Sequence, residues 1–139
     1  MNALIVGTGE YTTGFVNGKI TSSDKSVGVI ALSLFELRRQ GLVDKILMAG
    51  SNGTKFPGLR EHFKKNIEAR YRDLDATVST WPNDDVPRDP DAYKSALNEL
   101  NPGDCVFVFT PDDTHFQIAL DAVNAGCHVL IAKPIVKTV

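Results

Sequence analysis

Four stretches of this chain carry residues whose types and spacing could do chemistry. The first is Gly7-Thr8-Gly9-Glu10-Tyr11-Thr12-Thr13-Gly14, directly after the apolar run Ala3-Leu4-Ile5-Val6. Two glycines at this spacing make a tight turn whose backbone can approach a pyrophosphate, and a helix starting there aims its free N–H groups at the same charge. Thr12 stands where a third glycine is usual. Residues 15–26 read as an insertion ahead of the next helix, which makes Gly28 the candidate for the true third glycine.

The second stretch is Ala49-Gly50-Ser51-Asn52-Gly53-Thr54-Lys55. An acidic residue at such a place would accept hydrogen bonds from a ribose 2′-hydroxyl and repel a 2′-phosphate. None is present, and the hydroxyl, amide and ammonium groups of Ser51, Asn52 and Lys55 could receive a phosphate; the plainer alternative is a turn with a solvated lysine. The third stretch is Thr110-Pro111-Asp112-Asp113-Thr114-His115. Asp113 or Thr114 is expected to cap a helix by accepting from its free N–H groups. Capping requires neither the Thr-Pro pair nor His115, whose role stays open between structure and site. The fourth is Lys133-Pro134. A lysine there could hydrogen-bond a substrate hydroxyl or carbonyl and assist proton transfer if its pKa were lowered.

The elements that must position these stretches alternate between β-branched runs and helical patterns. Strands are expected at Ala3–Val6, Lys45–Ala49, Ala76–Thr80, Cys105–Phe109 and His128–Ala132. Helices are expected over Val27–Gln40, stopped by Gly41; from Pro57 with an apolar stripe of Leu59, Phe63 and Ile67 and a Glu61–Lys65 pair; over Asp91–Leu100; and from Asp113 or Thr114 to Gly126. Trp81–Pro90 reads as a loop. Continuous apolar strands alternating with helices predict an α/β fold with a parallel sheet covered on both faces, doubly wound, in a single domain over residues 1–139. Such sheets bind ligands at the carboxyl ends of their strands, where all four stretches fall.

Composition excludes several classes. The net charge is −2 with no basic stripe, which disfavours nucleic-acid binding. No run approaches the ~20 apolar residues of a membrane span, and no secretory signal is evident, so a cytoplasmic setting is expected. Two cysteines, Cys105 and Cys127, make no disulfide framework or metal-ligand spacing and are expected as small buried hydrophobes. No metal site is expected.

Thr110-Pro111-Asp112-Asp113-Thr114-His115, then Ala119, Ala122, Ala125-Gly126, His128-Val129-Leu130 and Lys133-Pro134, resemble the Gfo/Idh/MocA oxidoreductases, whose members show a Thr-Pro-x-x-x-His turn, an Ala-Gly-x-His-Val helix exit and a Glu-Lys-Pro motif at this spacing. The resemblance implies an N-terminal Rossmann domain binding NAD or NADP, with NADP preferred on the composition of the second stretch. It implies cofactor contacts from Gly7, Thr8, Gly9, Glu10, Tyr11 and Thr12, from Ser51, Asn52 and Lys55, and from Thr110, Pro111, Asp112, His115, Lys133 and Pro134. Lys133 would lie near both nicotinamide and substrate as the catalytic residue. Substrates of the family are mostly sugars, sugar acids and polyols. Gly7–Thr12 together with Asn52–Pro57 is further similar to fungal proteins named as D-galacturonate reductases.

Three departures stand out. Ala132 replaces the usual Glu before Lys-Pro, the glycine turn carries the insertion, and the family's second, substrate-binding domain is expected to be missing from residues 1–139. That domain often carries a homo-oligomer interface. A chain ending here is expected to be the cofactor-binding portion of an oxidoreductase, incomplete for catalysis. A non-catalytic dinucleotide-binding module is the alternative; a methyltransferase would leave Lys133-Pro134 unexplained.

Overall fold

Ala3–Val6 is buried at every position and forms β1, with the boundaries expected from the sequence. The computed structural model describes residues 1–137, so Thr138 and Val139, the last two positions of the expected domain, lie outside the described residues. After β1 come a single helical turn, α1 (Glu10–Thr13), a hairpin of β2 (Phe15–Val16) and β3 (Lys19–Ile20), and the helix α2 (Ile30–Arg39). Then follow β4 (Ile46–Ala49), α3 (Phe56–Phe63), β5 (Ser79–Trp81), α4 (Ala92–Leu97), β6 (Cys105–Val108), α5 (His115–Asn124) and β7 (His128–Ile131). Five strands form one parallel sheet in the order β5-β4-β1-β6-β7. The order reverses between β1 and β6, the switch point at which doubly wound sheets open a crevice.

Alternating side chains divide the core into two layers. Ala3, Ile5, Ile46 and Met48 pack against α2 and α3 through Leu34, Phe35, Phe56, Leu59 and Phe63. Leu4, Val6, Leu47, Ala49, Val106 and Val108 pack on the other face against Tyr93 and Ala96 of α4 and Ile118 and Ala122 of α5. Coverage is less complete than a fully two-sided sheet. Phe107 of β6 is half-buried and Leu130 of β7 is exposed, because α2 and α3 lie over the β4 half and leave that face open beside β6 and β7. Cys105 shares this half-covered face, whereas Cys127 is buried as expected.

The helix expected over Val27–Gln40 begins at Ile30, and its first turn lies elsewhere in the sequence. The amide of Val29 donates to the Tyr11 carbonyl at 2.8 Å, so α2 resumes where α1 stopped and residues 14–28 loop out of the join. Gly28 closes that loop with φ +73°, and a Cβ on it would lie 2.5 Å from the Thr12 carbonyl oxygen. The loop contains Phe15-Val16-Asn17-Gly18-Lys19-Ile20, whose central Asn-Gly pair, both residues at positive φ, is a hairpin turn.

Elsewhere the helix signals hold. α2 stops before Gly41, Pro57 stands in the first turn of α3, and Lys65 meets Glu61 at 2.7 Å. The stripe of Leu59, Phe63 and Ile67 is buried. The third strand is shifted: β5 pairs through Ser79–Trp81, and Ala76–Val78 lie outside it. The expected cap of α5 is absent. A turn at Asp112–Thr114 precedes that helix, and the Thr114 hydroxyl lies 2.6 Å from Thr110 Oγ1 and 2.7 Å from the Pro111 carbonyl instead of capping α5.

Candidate functional site

The carboxyl ends of β1, β4 and β6 open into a cleft of about 1080 Å³, just above the roughly 300–1,000 Å³ usual for small-molecule sites. Its floor is Val6–Gly9, Ala49–Ser51 and Phe109–Pro111, the three turns that leave neighbouring strands. One wall is the inserted hairpin (Phe15–Gly18) with Thr54, Lys55, Gly58 and Leu59. The opposite wall is Arg88, Pro90, Asp91 and Tyr93 from the approach to α4, with Asp113, Thr114, Gln117 and Ile118 at the start of α5.

The two glycines of the first turn do different work. Gly7 has φ +114°, and a Cβ there would lie 2.8 Å from the Phe109 carbonyl carbon and closer still to its oxygen. It is glycine because the β6 turn presses on it. Gly9 has an ordinary φ of −76°, and a Cβ on it would meet nothing within 4 Å. The protein itself therefore has room for a side chain at Gly9, and the bare backbone is left facing the cleft. The carbonyl of Gly9 receives the amides of Thr12 and Thr13, while the N–H groups of Glu10 and Tyr11 have no bonded acceptor among the described residues. An open glycine backbone beside unbonded N–H groups suits the diphosphate of a dinucleotide.

The remaining residues of that turn serve its architecture. Thr12 is buried, its hydroxyl 2.9 Å from the Gly9 carbonyl. Glu10 accepts from the Ser23 hydroxyl at 2.5 Å, which ties the insertion to α1 and, with Thr21, holds its carboxyl below the usual range. Tyr11 is exposed and stacks on Phe109 with ring centres 6.3 Å apart. Only Gly7, Thr8 and Gly9 of this stretch line the cleft.

From the second stretch Ser51 and Lys55 line the cleft, joined by Thr54. Asn52 turns away, its side-chain oxygen accepting from the Thr54 amide at 2.9 Å and the Thr54 hydroxyl at 2.7 Å. From the third, Thr110 and Pro111 line the cleft and Asp112 does not. His115 is fully buried outside it, with Nε2 2.9 Å from the Thr110 carbonyl and Nδ1 2.8 Å from the Pro134 carbonyl. It joins the Thr-Pro turn to the Lys-Pro turn. Lys133 and Pro134 are exposed at the end of β7, on the same sheet end but beyond the cleft wall.

Sequence reasoning passed over Arg88, Tyr93 and Gln117. Tyr93 donates to Asp121 at 2.6 Å, and Gln117 donates to the other oxygen of the same carboxylate at 2.8 Å, so two cleft residues share one buttress. Burial and that carboxylate push the Tyr93 phenol up and keep it a donor. A signal was available: in this topology, the residues entering the helix of the returning crossover stand at the strand ends. Among the described residues no group of three or more His, Cys, Asp or Glu is placed to hold a metal ion, and no helix is long and apolar enough to cross a membrane.

A family model described as the oxidoreductase family, NAD-binding Rossmann fold (GFO_IDH_MocA), matches residues 1–139. The chain belongs to this family of NAD-binding oxidoreductases. It is 40% identical over 58 residues to the uncharacterized oxidoreductase YdgJ of Escherichia coli (strain K12), a stretch covering 42% of this chain and 16% of that protein. The crystal structure of an oxidoreductase from Sinorhizobium meliloti superposes with a TM-score of 0.46 at 17% identity, over 99% of this chain and 30% of that one.

Proposed function

We propose that residues 1–139 form the cofactor-holding domain of a dehydrogenase or reductase that uses NADP in preference to NAD and acts on a sugar, sugar acid or polyol. The observation that carries the reading is the pairing of Gly7 and Gly9. One glycine is demanded by the fold, the other leaves open space at a cleft on the switch point of the sheet. The diphosphate is held over Gly9, with Thr8 beside it, and Thr110 and Pro111 line the dinucleotide on the β6 side. Ser51, Thr54 and Lys55 receive the 2′-phosphate, with no carboxylate in Ala49–Lys55 to oppose it. The bound nicotinamide supplies hydride transfer, and the chain supplies orientation and electrostatics. His115 holds the Lys133-Pro134 turn to the Thr110-Pro111 turn, and Lys133, exposed on that turn, is the residue that meets the substrate oxygen.

The test is a titration of the protein with NADPH and NADH, followed by cofactor fluorescence. Binding of NADPH about tenfold tighter, near 1.4 kcal/mol, is the expected result. Equal affinities would remove the NADP preference, and binding of neither would remove the cofactor reading. Turnover is sought in a chain carrying any further domain, beginning with uronic acids of the D-galacturonate type. Loss of turnover without loss of cofactor binding in Lys133→Ala supports the role of that lysine, whereas full turnover in this variant excludes it.

A further inference from the structure

The cleft holds a second cation that stands 33 residues beyond Lys55 in the sequence: Arg88. We propose that Arg88 is a specificity-determining residue that clamps the 2′-phosphate of NADP from the wall opposite Lys55, an inference that rests on the cofactor reading above. The loop bearing Arg88 is fastened to the end of β4. The Gly53 amide donates to the Val86 carbonyl and the Asp89 amide to the Ser51 carbonyl, each at 2.8 Å. Gly53 has no room for a side chain, since a Cβ there would lie 2.8 Å from the Asn83 carbonyl carbon. Arg88 is therefore held one residue from a direct bond to Ser51, the residue that starts the phosphate-receiving turn.

Neither Arg88 nor Lys55 has a carboxylate partner among the described residues, although acids are close. Asp84 is taken by Arg60, which also bonds Thr80 Oγ1 at 3.0 Å, and Asp91 is taken by Lys94 at 2.8 Å. Asp113, the other cleft acid, belongs to the α5 end of the wall. Two cations of different kinds, neither in an ion pair among the described residues, thus line one cleft together with Ser51 and Thr54. The planar guanidinium fork matches two phosphate oxygens at once, while the ammonium acts as a point charge. A ribose 2′-hydroxyl offers either cation one neutral acceptor oxygen and no charge.

The probes are 2′,5′-ADP and 5′-AMP, which differ by the 2′-phosphate and need no substrate domain. In Arg88→Gln the affinity for 2′,5′-ADP is expected to fall about tenfold or more, the scale of a lost charge-assisted hydrogen bond, while that for 5′-AMP holds within about twofold. An equal fall for both probes would place Arg88 on the shared adenosine and overturn the proposal, as would no fall for either. Lys55→Gln separates the two levels of reading. If it abolishes the preference for 2′,5′-ADP and Arg88→Gln does not, the NADP reading stands and the clamp is overturned. A wild-type protein that binds the two probes equally overturns both. Arg88 is exposed, so the substitution leaves the core untouched; matching melting curves confirm that both variants fold.

Discussion

Gly9→Ala and Gly7→Ala add the same methyl group two residues apart and are expected to fail in opposite ways. At Gly9 the backbone is extended (φ −76°, ψ −174°) and the new Cβ meets nothing within 4 Å. Folding therefore costs nothing, and the stiffer unfolded chain makes the variant more stable by up to roughly 0.4–1 kcal/mol. The methyl instead occupies the space in which the proposed function seats the diphosphate. Displacing that group from its N–H donors should weaken NADPH binding at least about tenfold, near 1.4 kcal/mol. At Gly7 the positive φ of +114° costs roughly 1–3 kcal/mol in any other residue, and overlap with the Phe109 carbonyl forces β1 and β6 apart on top of it. A chain of this size loses roughly 4 °C of Tm per kcal/mol, so Gly7→Ala should melt about 10 °C or more below the parent. The assay is a thermal melt of each variant followed by titration with NADPH. A Gly9→Ala protein that binds NADPH as the parent does would refute the diphosphate seat. A Gly7→Ala protein that melts with the parent would refute the contact with β6.

Three further outcomes follow from buried polar groups. His115→Leu removes the ring whose two nitrogens lie within bonding distance of the Thr110 and Pro134 carbonyls and should cost about 1–3 kcal/mol; a urea midpoint unchanged from the parent would show that the two turns do not depend on the ring. Asp104 is pushed up by burial but held lower overall by the amides of Asn101 (2.9 Å) and Asn2 (2.7 Å) and the Asn2 side chain. Its stabilisation is full above the ordinary carboxylate value and lost as pH falls through its folded value, so the acid limb of stability should flatten in Asp104→Asn when urea unfolding is measured across acid pH. His62 is pushed down by burial, with Nε2–H donating to the Thr13 carbonyl at 2.8 Å and Nδ1 accepting from Asn66 at 3.1 Å. The neutral ring stabilises the fold above its unfolded value of 6.5, and that contribution is lost as pH falls from there towards the folded value. The loss should be missing from His62→Gln, and an NMR titration placing the His62 midpoint at or above 6.5 would contradict it.

What could be read from the chain was whatever depends on short-range pattern. β1 is found with its expected ends because four apolar residues meet a glycine turn. α3 begins beside Pro57 and carries its buried stripe because both signals are local. The strand ends that floor the cleft were legible for the same reason. The walls were not. Arg88 and Tyr93 reach the cleft through the return crossover from β5 to β6, and Gln117 through the first turn of α5 after β6, placements that only the topology reveals. The cap expected at Asp113 or Thr114 lost to a competing bond, because Thr110 offers its hydroxyl and Pro111 its carbonyl within reach of Thr114. Asn52 fits a phosphate contact by type, yet its side chain is spent on its own turn. Asn17-Gly18 between Phe15-Val16 and Lys19-Ile20 was a hairpin signal inside a segment that otherwise reads as polar filler.

The join between Tyr11 and Val29 makes residues 14–28 a cassette. The Val29 amide donates to the Tyr11 carbonyl at 2.8 Å, so α2 is bonded to the end of α1 across the segment that lies between them in sequence. Sequences of other lengths could be spliced at the same seam without disturbing the sheet beneath. Since Phe15–Gly18 form one wall of the cleft, exchanging the cassette would redraw that wall while the glycine turn stayed in place. An exchange that kept Phe15 on His62, where it packs against the core, would change what the cleft admits while leaving the sheet in place.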